Sequence, residues 1–161
     1  MTSERPIQIR TARADDPAIS ALITRHLAHS AEHTPPESIY AMDASGLLEP
    51  SISLFAAWDD QTLLGMGALR DLSALGASDA GEIKSMHTAS EARGRGIGAA
   101  LLSHLLNEAR ARGYATLYLE TGFNEGYAAA RALYTRAGFE PCGPFGDHLG
   151  DPNSAYYRLV L

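Results

Sequence analysis

The segment TASEARGRGIGAALLSHLLNEARARGY, Thr88 to Tyr114, sets three glycines and two arginines into the six residues Arg93–Gly98 and then runs into a helical pattern. A bland strand-to-helix turn needs one glycine, at most two. Gly94, Gly96 and Gly98 let the backbone come close to a ligand without Cβ interference. A helix N-terminus offers unpaired N–H groups and about half a positive charge, and so binds anions. Arg93 and Arg95 add charge-assisted donors. Ile97, Leu101 and Leu105 recur at helical spacing, which anchors the helix in a core. The loop predicts a phosphate-binding turn.

Around it the chain alternates strand and helix. IQIRTA (Ile7–Ala12) reads as a first strand, and Asp15 or Asp16 with Pro17 opens a helix to about His29. TPPESIYAM reads as a second, short helix. SISLFAAW and LLGMGALRDL flank the turn residues Asp59–Thr62 as a hairpin. AGEIKSMHT is the strand before the glycine loop, and the helix after the loop ends at Gly113. ATLYLET, the helix GYAAARALYTRAG closed by Gly138, and the strands FEPCGPF and AYYRLVL complete the chain. An antiparallel first half and a βαβα second half predict a mixed α/β fold.

The 161 residues suit one domain, 1–161, large enough for a core without disulfides or metal. The single cysteine, Cys142, has no intramolecular partner, which points to a reducing, cytoplasmic compartment. No apolar run approaches a membrane span. A net charge of −6 argues against a nucleic-acid binder.

Two phosphate-site alternatives fail on spacing. The loop has no Gly-Lys-Ser/Thr, so it is not a nucleotide-hydrolysing P-loop. GRGIGA satisfies G-x-G-x-x-A, with Glu120 ending the next strand as a ribose-binding acid would, but Ala89–Arg93 separate the first glycine from its strand. Arg93-Gly94-Arg95-Gly96-Ile97-Gly98 instead resembles the R/Q-x-x-G-x-G/A signature of the GNAT N-acetyltransferases. ARALYTRAGF, Ala130–Phe139, resembles that family's A-x-x-L-Y-x-x-x-G-F helix, in the expected order and separation. The likeness covers nearly the whole chain, and the tail EPCGPFGDHLGDPNSAYY is similar to a bacterial subgroup labelled YsnE-like or indole-acetic-acid acetyltransferases.

The resemblance implies a central, mostly antiparallel sheet of about six or seven strands, splayed at the cofactor site and flanked by about four helices. It implies acetyl-CoA as co-substrate, a small-molecule amine as acceptor, and direct transfer in a ternary complex. A homodimer is compatible with it. A non-catalytic acyl-CoA sensor, or transfer to a protein or peptide amine, are the alternative functions. It assigns the pyrophosphate to Arg93, Gly94, Arg95, Gly96, Ile97, Gly98 and Ala99. Met86, His87 and Thr88 would pair with pantetheine like an added strand, one of their amides polarising the thioester. Tyr134 matches the tyrosine that protonates the departing thiolate. Glu82, eleven residues before Arg93, has the spacing of a basic glutamate, with a water chain as the alternative. One position departs: many members carry Asn where Tyr127 stands, and Asn124 is the nearest substitute.

Lys84 is costly to bury in mid-strand, which predicts that it faces the substrate cleft or an edge. It shares a strand face with Glu82 by period two, and the pair would suit an amino-acid-like acceptor. His26, His29 and His33 sit at i, i+3 and i+7 without a carboxylate or cysteine at metal spacing, so no metal site is expected. Cys142 has no base beside it, and no G-x-S-x-G elbow is present.

Overall fold

A computed structural model describes residues 6–77 and 79–161. Its seven strands are β1 (Gln8–Ala12), β2 (Ile52–Asp59), β3 (Thr62–Asp71), β4 (Ala80–Thr88), β5 (Thr116–Gly122), β6 (Glu140–Pro141) and β7 (Ser154–Val160). They form one sheet in the order β1-β2-β3-β4-β5-β7-β6. Every neighbouring pair is antiparallel except β4 with β5. The helices are α1 (Pro17–His33), α2 (Ile97–Ala111) and α3 (Ala128–Arg136). None is long and apolar enough to cross a membrane.

Strand alternation sorts the core. On β2, Leu54 and Ala56 join a cluster with Ile19 and Ile23 of α1, whereas Phe55 joins Leu102, Leu105 and Ala109 of α2. Residues of β2 thus pack on both faces of the sheet. Burying each such Leu or Ile contributes roughly 1.5–3 kcal/mol.

Three boundaries differ from the sequence expectation, each through proline. Asp16 caps α1 by accepting the Ala18 N–H at 3.0 Å, but the helix runs past His29 to His33 because nothing interrupts it before Pro35. Thr34, the residue before that proline, is extended with φ −139°. TPPESIYAM forms only a 3₁₀ turn at Pro36–Ser38, which leaves three α-helices among the described residues rather than about four. Prolines at 35 and 36 remove two N–H groups, and the residues after them carry no helical period. FEPCGPF yields only the two-residue β6, because Pro141 and Pro144 cannot donate to a ladder.

The sheet feature that positions the site lies on β4. Met66 pairs with His87 but Ala68 pairs with Lys84, so Ser85 and Met86 together oppose Gly67. This is a β-bulge, and Ser85 takes φ +56° within it. On its other side β4 pairs with β5 only from Ala80↔Thr116 to Ile83↔Leu119. Beyond Ile83 the two parallel strands part.

Candidate active site

The parted strands and the start of α2 line one cleft of about 580 Å³. Into it open Arg93, Gly94 and Gly96–Ala99, together with Met86, His87 and Thr88. Gly94 and Gly96 sit at φ +81° and +76°, the left-handed region that glycine enters freely. The first bond of α2 runs from the Ala100 N–H to the Gly96 carbonyl, 3.0 Å. Among the described residues, none accepts a hydrogen bond from the N–H groups of residues 94–99. A run of unpaired donors at a helix start is a cradle for phosphate oxygens. The Arg93 guanidinium lines the cleft without a hydrogen bond or ion pair among the described residues. These residues fit the phosphate-bearing arm of an acyl-CoA.

Arg95 departs from its expected place. Its guanidinium pairs with Asp59 at 3.2 Å, at the end of β2, and no part of it lines the cleft. Its N–H is unpaired among the described residues, but its side chain belongs to the hairpin. Tyr127 and Asn124 are also engaged. The Tyr127 hydroxyl shares a 2.6 Å bond with Thr34, and its ring lies where a Cβ on Gly122 would stand. The Asn124 amide donates to the His33 carbonyl and accepts from the Gly126 N–H, so it does not reach the cleft.

Between α1 and β4 stands a group of rings not foreseen from sequence. His26 and His87 meet Nδ1 to Nδ1 at 3.1 Å, and His29 lies tilted against His33 and edge-on to Tyr127. Burial, then the neighbouring His87 and His29, lowers the His26 pKa to about 3. Burial, then His29, Arg25 and Arg93, lowers that of His87 to about 4. Both imidazoles are neutral at pH 7. The histidines of α1 thus face β4 and each other.

The other end of the cleft is charged. Glu82, 1% exposed, meets Arg70 at 3.3 Å, Lys84 at 3.4 Å and His148 at 2.9 Å. Burial alone would raise its carboxyl, but His148, Lys84 and Arg70 hold it below the ordinary value. Arg70 also grips Asp147 through both nitrogens, at 3.2 and 3.1 Å. Together these bonds tie the turn-rich loop 143–153 to the sheet. Glu82, Asp147 and His148 bring ligand atoms within 4.8 Å of one another, but two cations already occupy those carboxylates and would repel a third.

Glu120 differs from Glu82. It is the first residue of β5 beyond the pairing with β4 and lines the cleft, with Ser154 as its hydrogen-bond partner at 2.8 Å. Burial raises its pKa, against the smaller opposing pull of Ser154, His148 and Lys84. Tyr134 of α3 is buried beside the cleft, its hydroxyl without a partner among the described residues. Burial, and then the Glu120 charge, pushes the Tyr134 pKa up, so the phenol keeps its proton. The cleft therefore joins a run of unpaired N–H groups, a free strand edge, a buried carboxyl with a raised pKa and a buried phenol. Lys84 and Tyr134 stand in it as the sequence predicted. Glu120 lines the cleft without having been assigned to it, and Arg70 and His148 hold Glu82 from outside the lining; only the position of Glu120 near a strand end signalled a role.

Known proteins share the sequence pattern and the fold. Residues 19–139 match the model of the acetyltransferase (GNAT) family. The uncharacterised N-acetyltransferase YedL of Escherichia coli is 37% identical over 154 residues, covering 94% of each chain. The uncharacterised N-acetyltransferase YsnE of Bacillus subtilis is 39% identical over 143 residues, 89% of this chain and 92% of that one. A crystal structure from Klebsiella pneumoniae, provisionally assigned as an acyl-CoA N-acyltransferase, superposes with TM-score 0.77 at 28% identity, covering 96% of this chain and 97% of the other. The chain belongs to the acetyltransferase (GNAT) family. It is an acyltransferase of the acyl-CoA-using fold.

Proposed function

We propose that this chain is an acetyl-CoA-dependent N-acetyltransferase that acts on the amine of a small, amino-acid-like acceptor by direct attack in a ternary complex. The observation that carries this reading is the meeting in one cleft of the free N–H groups 94–99 and the parted β4 edge with Glu120 and Tyr134. Acyl-CoA supplies an activated acyl group as a thioester. The amides of residues 94–99 and the Arg93 guanidinium hold its pyrophosphate, and Met86–Thr88 offer backbone groups that β5 does not take.

An amine must lose a proton before it attacks. Glu120 fits that task because its carboxyl, raised by burial, titrates closer to neutral pH than a free one. The base role that spacing gives Glu82 passes to Glu120 in this reading. Glu82 accepts from three groups in the wall and acts as a positioning residue for Lys84 and the 143–153 loop. Tyr134 keeps a proton ready for the leaving sulfur. Lys84 faces the acceptor end, where its ammonium suits a carboxylate on the amine-bearing molecule.

The test mixes the protein with acetyl-CoA and a panel of α-amino acids and their carboxylate-free amine counterparts. Free CoA thiol and acetylated amine should appear together, with the amino acids preferred. Binding of acetyl-CoA with no thiol release from any amine contradicts the transferase reading and makes the cleft a sensor.

A further inference from the structure

The chain has one lysine, Lys84, against twelve arginines. That lysine lines the cleft, two residues before Met86 on the β4 edge left free by β5. Its side chain is 10% exposed, so a separate modifying enzyme would find little of it to grasp. A thioester bound along that edge has no such barrier. Resting on the transferase reading above, we propose that Lys84 is an internal acyl acceptor, acetylated by the acetyl-CoA bound in its own cleft when no amine is present.

Three features of the structure permit this. First, Glu82 keeps Arg70 and His148 when Lys84 swings away, so releasing the lysine leaves no buried carboxylate unpaired. Second, the pair Ile83↔Leu119 is the last between β4 and β5, and Lys84 and Glu120 are the next residues in line. Both line the same cleft, the Lys84 charge acts on the Glu120 carboxyl, and burial raises that carboxyl. Third, the cleft already collects groups suited to acyl transfer onto nitrogen. The ammonium first gives one proton to Glu120. The neutral Nζ then attacks the thioester carbonyl, the N–C bond forms and the C–S bond breaks. The second proton lost by nitrogen ends on the CoA sulfur, which leaves as the thiol. The product amide carries no charge, so the modified cleft has lost its cation at the acceptor end. An acceptor carboxylate seated on Lys84 would block the reaction, which makes the modification a response to acceptor depletion.

The experiment incubates wild-type protein with acetyl-CoA alone and reads intact mass and tryptic peptides. Acetylation at Lys84 should add one acetyl group and abolish cleavage there, so the peptides 71–84 and 85–93 are replaced by an uncut 71–93. The rate should exceed that of the urea-unfolded chain by at least tenfold. It should fall at least tenfold in Tyr134→Phe, and Lys84→Arg should gain nothing on this segment. Lys84 left unmodified in wild-type protein that releases thiol with amines overturns this inference alone. So does acetylation no faster than in the unfolded chain. Absence of both lysine acetylation and amine turnover overturns the transferase reading with it.

Discussion

Replacing Gly96 by valine separates backbone conformation from space. A Cβ built on Gly96 meets no atom within 4 Å, so the substitution makes no clash. The residue sits at φ +76°, however, where an L side chain costs about 1–2 kcal/mol and a β-branched one is worse placed still. Two responses are open to the loop. If it holds its shape, the strain appears as lost stability, and 1–2 kcal/mol lowers the melting temperature by roughly 2–8 °C in a chain of this size. If it relaxes to negative φ, the peptide plane turns and at least one amide leaves the cradle. A hydrogen bond to a charged group is worth about 1.5–3 kcal/mol, so acetyl-CoA affinity should fall at least tenfold, about 1.4 kcal/mol. Calorimetric titration with acetyl-CoA alongside thermal unfolding reads both. Gly143→Ala is the control, since Gly143 has no left-handed φ and an open Cβ position. A Gly96→Val protein with wild-type melting temperature and wild-type affinity would refute the role assigned to this backbone.

Tyr134→Phe keeps the ring and removes the proton donor, so turnover should drop on the order of 10²-fold with little change in melting temperature; wild-type turnover measured where chemistry limits the rate returns Tyr134 to the core. A carboxylate base works only when deprotonated, so the rate should fall as pH drops through the raised Glu120 pKa. Glu120→Gln should abolish that acidic limb, whereas Glu82→Gln should keep the limb and lower the melting temperature by loosening the bonds of Arg70, Lys84 and His148. The reverse pattern would restore Glu82 as the base. His26 has a folded pKa of about 3, below the value near 6.5 of an unfolded chain. The unfolded state therefore binds protons that the native state refuses, and stability should fall as pH drops from about 6.5 toward about 3. His26→Gln should flatten that part of the melting-temperature profile; an unchanged slope would show that other groups set it.

The readable parts of this protein were those whose cause is local. The glycine loop, the helix after it and the Ala130–Phe139 segment announce themselves through spacing, and β4 spans Ala80–Thr88 as its residues suggested. Period two placed Lys84 and Glu82 on one face, and their ion pair at 3.4 Å bears that out. What the sequence hid depends on partners far along the chain. Glu82 reads from spacing as a candidate base, and its partner His148 stays hidden because it lies 66 residues away in a loop whose composition says only that it turns. Arg70 carries no motif, yet it binds both Glu82 and Asp147. Arg95 sat inside the signature but found Asp59, a hairpin residue, because side-chain direction in a loop has no period to follow. Glu120 was noticed only as a ribose-type acid, since its raised pKa comes from burial that no single sequence displays. His26 looked like one face of a helix until β4 brought His87 against it.

The most direct test follows backbone amide resonances while CoA is titrated into the protein. The account predicts that the amides of residues 94–99 and of Met86–Thr88 shift together, saturate with one affinity, and lose solvent exchange in the complex. Binding of CoA that leaves both groups of amides unmoved would contradict it.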